Sequence, residues 1–295
     1  MVHNVLIWGL GNIYNCYSNM LKYCELAGQI KIVGITSNDM FWGSKVDGIT
    51  YYRKSDLCNL QLDYIVVMNN KYFDEIVEEI LSLGFTRKQI ISYRVLCIPG
   101  FDFNEYIELV KSNITILSNN CWGGIIYNTL AIECLSPFKN LSVAAKEYIK
   151  VLNDLKTYMA YELRFEKFAI EPNINTRYPV MLLGDVEIHC NHDTDPDVAV
   201  EKWNRRVKKI NYDNIFAEMY TEDAEIADMF CKLDYDKKVC FVPFDTSNNI
   251  QIQLHMWQGM KKFWEAVNIN ASLRTGSIQY NPIKLLLGKD GTRCR

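Results

Sequence analysis

The chain has 295 residues, 49% hydrophobic and 23% charged, with a formal net charge of -3, the composition of an ordinary globular protein, which argues against a disordered chain or a small disulfide scaffold and leaves room for two domains with real cores. The near-balanced charge supplies no global basic field, so nucleic acid is not an expected partner. No leader pattern opens the chain and its apolar runs fall far below the roughly 20 residues that cross a bilayer, so no transmembrane segment is expected and a cytoplasmic location follows as the default.

The opening "NVLIWGLGNIYNCYSNMLKYCELAG" reads as a buried strand, a glycine turn and a helix. Val5 to Trp8 form an apolar run, Gly9 and Gly11 permit a tight turn, and Ile13, Met20 and Leu21 begin an apolar helix face. "IKIVGITSN" is the next expected strand, and "LDYIVVMNN" a fully buried one ending at Asn69 and Asn70. The amphipathic "YFDEIVEEILSLG" closes at Gly84, and "KQIISY" returns to a strand. Strands alternating with helices predict an α/β, Rossmann-like parallel sheet over residues 1–112, covered on both sides.

Ligands of such sheets bind beyond the carboxyl ends of the strands, where Gly9, Gly11, Thr36, Ser37, Asn69 and Asn70 gather. Backbone N–H groups at the start of the first helix can cradle a phosphate, which makes Gly9, Gly11 and Asn12 the candidate cofactor-binding residues, with the cofactor unassigned. The pattern is "GLGNIY", however, so Tyr14 takes the place of the third fingerprint glycine, and Thr36, Ser37 and Asn38 precede Asp39 where a ribose-binding acid is expected. A dinucleotide, another nucleotide or phosphate ligand, and a purely architectural turn all stay open.

Pro99 and Gly100 break the next run, Phe103 to Val110 supply a short helical pattern, and residues 113–295 read as a second α/β domain. It opens on "ITILSNNCWGGIIYNTL", a strand that stops at Ser118 to Cys121. "AAKEYIKVLNDLKTYMAYEL" predicts one helix and "RYPVMLLGDVEIHCNH" one strand leading to a polar turn. "DPDVAVEKWNRRVKKI" predicts a helix with Asp195 as cap and Pro196 first. "NIFAEMY" then reads as a strand, "DAEIADMFCKL" as a helix and "KKVCFVPF" as a strand. The ten cysteines are scattered without CxxC pairs and read as reduced small hydrophobes.

Three groups in this half carry candidate chemistry. At a helix amino terminus Cys121 would be a stabilised thiolate able to attack a carbonyl, with His189 or His192 moving the proton and Asp185 orienting it. In the competing and preferred reading, Ser118, Asn119 and Asn120 form a binding turn and Cys121 is a packed thiol, and a purely structural turn, with glycines as ordinary turn residues, stays open beside it. Strand periodicity puts Asp185, Glu187 and His189 on one face, suited to acid–base work or to a divalent metal. The spacing lacks the helical register of HExxH, so no metal is assigned, and structural hydrogen bonding competes. Arg205 and Arg206 offer two-pronged contacts to a phosphate or acidic sugar, although such charge runs usually face solvent, and Asp213 and Asn214 could orient a hydroxyl or simply turn the chain.

"SNNCWGG", "YPV", "GDVEIHCNH", "KWNRRVKKINYDN" and "KKVCF", in that order over about residues 113 to 245, resemble a bacterial family whose members are labelled exopolysaccharide or capsule biosynthesis proteins. Cys190 and Asn191 depart from that pattern, where bulkier apolar residues are common. The resemblance implies surface-glycan production and carries no catalytic assignment. The expectation is an enzyme, possessing group-transferase chemistry in one version, that acts on an activated or anionic carbohydrate. A noncatalytic binding or assembly protein of glycan biosynthesis is the runner-up, and a nucleotide-dependent oxidoreductase is third.

Overall fold

The computed structural model describes residues 2–38, 44–171, 176–272 and 278–289; Asp39, at the expected ribose position, lies outside them. The chain divides into two compact units, Met1–Lys111 and Ser112–Arg295.

In the first unit β1 (His3–Trp8) leads through α1 (Asn12–Leu26) to β2 (Ile30–Thr36). A small hairpin, β3 (Lys45–Val46) and β4 (Ile49–Thr50), precedes β5 (Tyr64–Val67), α2 (Phe73–Ser82), β6 (Ile90–Ser92) and α3 (Phe103–Lys111). The sheet order is β2-β1-β5-β6 and every pairing is parallel. Leu6, Trp8, Ile65 and Val67 pack against Ile76, Val77 and Ile80 of α2. Val5, Ile7 and Val66, pointing the other way, are equally buried, which is why these strands read as continuous apolar runs.

Strand order reverses at β1, so a crevice opens beyond β1 and β5, where the topology requires one. It is a space of about 320 Å³ lined by Trp8, Gly9, Gly11, Ser37, Asn38 and Asn69 among others. Gly9 sits at φ 121, and a Cβ there would lie 3.0 Å from the Met68 carbonyl oxygen. Asn12 opens α1 and is exposed. Tyr14 is buried and donates its hydroxyl to Asp47 Oδ2 at 3.0 Å, so a packed ring stands where a dinucleotide fingerprint has its third glycine.

The second unit begins with β7 (Thr115–Ser118) and α4 (Trp122–Thr129). The single helix expected next is two, α5 (Ala145–Asn153) and α6 (Leu155–Ala160), because Asp154 leaves the helical region at φ -137 and ψ 53. An antiparallel sheet follows, β8 (Leu163–Glu171), β9 (Thr176–Leu183) and β10 (Val186–His189), in the order β10-β9-β8. The strand expected through "VMLLGDVEIH" is therefore a hairpin, turned by Gly184 at φ 63 and by Asp185.

After it come α7 (Pro196–Val207), β11 (Ile215–Tyr220), α8 (Ala224–Cys231), β12 (Lys237–Val242), β13 (Gln251–Gln253), α9 (Phe263–Ser272) and α10 (Pro282–Leu287). Asp195 caps α7 by accepting from the Asp197 N–H at 2.9 Å, with Pro196 first, as the spacing predicts. A second parallel sheet runs β13-β12-β11-β7. One face buries Leu117, Ala217, Met219 and Cys240 with Tyr148, Trp203 and Phe230 from α5, α7 and α8. On the other, Trp122 stacks on Phe216 at 6.0 Å between centroids and donates Nε1 to the Tyr280 hydroxyl at 2.7 Å. The chain is thus α/β, with a parallel sheet in each unit. Among the described residues no helix is long and apolar enough to cross a membrane.

Candidate functional site

The turn "SNNCWGG" leaves the carboxyl end of β7 and is wired almost wholly to itself and to β11. Ser118 Oγ donates to the Asn120 carbonyl at 3.0 Å and accepts from the Gly123 N–H at 3.1 Å. Asn120 Oδ1 accepts from the Trp122 N–H at 2.6 Å, satisfying one of the donors left open at the start of α4. Its Nδ2 donates to Asn119 Oδ1 at 2.8 Å. Asn119 Oδ1 in turn accepts from the Tyr220 N–H at 3.2 Å, pinning the exit of β11. The two glycines answer to space: a Cβ on Gly123 would meet Ser118 Oγ at 2.6 Å, and one on Gly124 would meet Asn140 Oδ1 at 2.2 Å. Ser118, Asn119 and Asn120 are 1, 3 and 6% exposed, so Ser118 and Asn120 brace the site and Asn119 alone of the three borders open space.

Behind the turn lies Glu218, fully buried on β11, its two oxygens 3.0 and 3.1 Å from Asn120 Nδ2. Burial pushes its carboxyl up to about 8, the Asn120 hydrogen bonds opposing, so the group is largely protonated at neutral pH. Glu218 is absent from the candidates above, yet its sequence signal is plain: an acid at the centre of the apolar "IFAEMY", in a central parallel strand that is buried on both faces.

Beyond β7 and β11 opens a concavity of about 650 Å³, lined by Asn119, Tyr178, His189, Asn191, Glu222 and Asp223 among others. One segment aligns its walls. The Val143 N–H donates to the Asn119 carbonyl at 3.0 Å, and Ser142 exchanges two backbone hydrogen bonds with His189, each 2.9 Å. The turn and the histidine strand therefore flank a single extended segment. Within β10 Val186 and Ile188 point inward while Glu187 and His189 face outward. His189 Nδ1 is 3.2 Å from the Tyr178 hydroxyl, and its Nε2 is 3.7 Å from Glu187 Oε2. Burial lowers the His189 pKa, Glu187 opposing, so the ring is neutral at neutral pH. Asp223 caps α8, its Oδ1 accepting from Glu225 at 2.9 Å and Ile226 at 3.2 Å.

The remaining candidates lie elsewhere. Cys121 Sγ is 3.1 Å from Nε2 of the exposed His192, as the end of β10 at His189 allows. Burial, reinforced by the Glu218 carboxyl, pushes the Cys121 thiol up to about 11, against the stabilised thiolate that the helix start predicts. Asp185 is in the hairpin turn, bound by Lys150 and, at 2.8 Å, by the Tyr158 hydroxyl, because the strand that would have aligned it with His189 begins one residue later. Arg205 is exposed, and Arg206 Nη1 donates to the Lys139 carbonyl at 3.1 Å; neither lines the concavity. Asp213 and Asn214 precede β11, Asn214 bridging the Ser112 carbonyl and Lys237 at 2.9 Å each. A six-residue strand separates them from Tyr220, roughly 20 Å at the usual rise, so they lie at the wrong end of the sheet to orient a ligand at its carboxyl edge. Among the described residues no three His, Cys, Asp or Glu side chains converge as a metal site.

A protein of Haemophilus influenzae described as "Uncharacterized protein" is 30% identical over 137 residues, 45% of this chain and 64% of that relative, so the match spans less than two thirds of the relative's length. Residues 1–91 match the family model described as "C2185-like, N-terminal". Neither description names an activity. Every residue around the concavity falls within a further match over residues 92–283, and the chain belongs to that family, described as "Domain of unknown function (DUF1919)".

Proposed function

We propose that the chain is a cytoplasmic enzyme of surface-glycan biosynthesis whose second unit binds a carbohydrate in the concavity beyond β7 and β11. The supporting observation is the lining. Tyr178 and Tyr220 bring aromatic rings to the lining, a residue type suited to sugar C–H groups, and Asn119, Asn191 and His189 bring hydrogen-bonding groups suited to hydroxyls. A space of about 650 Å³ suits a ligand of one or two sugar rings. The ordered resemblance of five sequence segments to exopolysaccharide and capsule biosynthesis proteins supports the setting. His189, neutral and held against the Tyr178 hydroxyl, is the group placed to accept a proton from a bound hydroxyl. In the first unit, taken by itself, the crevice at Gly9 and Gly11 is the proposed place for a separate nucleotide or phosphate ligand.

A binding protein without turnover is the second reading. It is favoured by Cys121 and Asp185 both lying outside the concavity lining. Calorimetric titration of the full chain with neutral monosaccharides and sugar nucleotides tests the carbohydrate reading. Binding should weaken about tenfold in Tyr178→Ala, the scale of one lost stacking contact. Saturable binding left unchanged in both Tyr178→Ala and His189→Ala would remove the concavity from the account. Turnover assays with the same sugars then separate enzyme from binding protein.

A further inference from the structure

The antiparallel sheet of the second unit ends on an apolar strand with no strand beside it. Among the described residues β8 pairs only with β9, which leaves the outer backbone edge of its nine residues without a partner strand. Phe165, Phe168 and Ile170 are 45, 36 and 60% exposed. They share a face with Leu163, which is buried in the core, so the apolar face of the strand runs on past the core that covers its start. A long apolar edge of this kind is a template for another strand.

The ladder with β9 fixes which way each side chain points. Leu163, Phe165, Phe168 and Ile170 stand opposite Leu183, Met181, Pro179 and Arg177 on one face. Arg164, Lys167 and Ala169 stand opposite Leu182, Val180 and Tyr178 on the other. The register shifts between Phe165 and Lys167, so Glu166 is the extra residue of a bulge. The bulge brings Phe165 and Phe168 to the same face, their ring centroids 4.9 Å apart. A bulge and a lysine ordinarily protect an edge from unlike strands. Here they single out one way for β8 to pair with itself.

We propose that β8 pairs antiparallel with β8 of a second copy of this chain, about a two-fold axis between Glu166 and Lys167, joining the two sheets into one. That axis sets Leu163 against the partner's Ile170, Arg164 against the partner's Ala169 and Phe165 against the partner's Phe168, each pair on a common face. It also sets Glu166 against the partner's Lys167, and the reverse. Glu166 is exposed and in no ion pair among the described residues. Lys167 is bound to Glu187 at 2.5 Å and has further ammonium donors for a second carboxylate. An axis on Glu166 or on Lys167 would set Phe165 against a residue of the opposite face. An axis between Phe165 and Glu166 would set Arg164 against the partner's Lys167, two like charges. Face and charge therefore select the same register, and a second copy supplies both the matching bulge and the opposite charges.

The test is sedimentation velocity on the full chain over a wide range of concentration, with charge-swapped variants. The wild type should be a dimer that dissociates on dilution. Glu166→Lys and Lys167→Glu each oppose like charges twice across the axis, and each should raise the dissociation constant about tenfold or more. The double variant Glu166→Lys, Lys167→Glu exchanges the charges and should recover the dimer. Far-UV circular dichroism and urea midpoints should stay close to the wild type throughout, since the lost Lys167–Glu187 pair is largely exposed. A monomer at every concentration would overturn the proposal and leave the edge to a different partner. So would a dimer indifferent to both single variants, or a double variant that stays monomeric.

Discussion

Asn120 meets both oxygens of Glu218 with a single amide nitrogen, at 3.0 and 3.1 Å, in a place where Glu218 is fully buried. The same amide reaches Asn119 Oδ1 at 2.8 Å, and Asn119 holds the Tyr220 backbone at the rim of the concavity. The site wall is therefore tied to a buried acid with a displaced pKa.

Glu218 should make stability fall as pH rises. Its folded pKa, about 8, stands above the ordinary carboxyl value of 4.5, so between those two pH values the unfolded chain has released a proton that the folded chain keeps. The contribution is fully present below about pH 4.5 and is lost as pH rises through about 8, at about 1.4 kcal/mol per pH unit in that window. Glu218→Gln removes the titration while retaining an acceptor for Asn120. Urea midpoints at pH 5 and pH 8 should differ less in the variant than in the wild type; identical pH dependence in the two would contradict the assignment.

Cys121 should be a slow thiol despite its histidine neighbour. With its pKa pushed up to about 11, only about one molecule in several thousand carries the thiolate near pH 7.5. Iodoacetamide followed by mass spectrometry should therefore modify the exposed Cys16 and Cys58 well before Cys121, and Cys121 only as pH climbs toward 10. Alkylation of Cys121 first at neutral pH would restore it as a nucleophile.

Two adjacent glycines should differ in what an added methyl costs. In Gly123→Ala the Cβ meets Ser118 Oγ at 2.6 Å and Ile116 Cγ2 at 3.2 Å, both on the packed strand β7, and a loss of about 1–3 kcal/mol is expected. In Gly124→Ala the obstacle is the end of the Asn140 side chain, which can swing away, so the loss should be smaller. Chemical denaturation of both variants measures the order; a costlier Gly124→Ala would mean that the Asn140 loop is the stiffer wall.

Arg205→Ala should leave sugar binding unchanged within a factor of about two, because the side chain is exposed and outside the lining. Arg206→Ala should cost stability through the lost Lys139 carbonyl contact, with binding intact once the protein is folded. Titration calorimetry on the two variants separates these outcomes, and a large loss of affinity in Arg205→Ala would bring the basic helix back into the site.

Local periodicity carried the fold a long way. The apolar runs of β1, β5 and β11 and the Asp195–Pro196 start of α7 were readable because burial on both faces and helix capping leave their mark on neighbouring residues. β8 was not readable: residues from Arg164 to Phe168 are exposed on both faces, so no alternation marks the strand. Gly184 and Asp185 could have signalled the hairpin, but the apolar "VMLL" before them and "VEIH" after them looked like one run. The site was legible where chemistry follows strand ends, as at Asn119 and His189. It was opaque where tertiary pairing decides, as with Asp185 drawn to Lys150 and Glu218 facing Asn120 across two strands.

The most direct test of the central claim is a residue-resolved map of amide shifts in the full chain as a panel of neutral monosaccharides and sugar nucleotides is added. The account predicts saturable shifts clustered at Asn119, Ser142 to Ala144, Tyr178, His189 and Thr221 to Asp223, the rim of the concavity. Shifts confined to other surfaces, or none that saturate with any sugar, would contradict it.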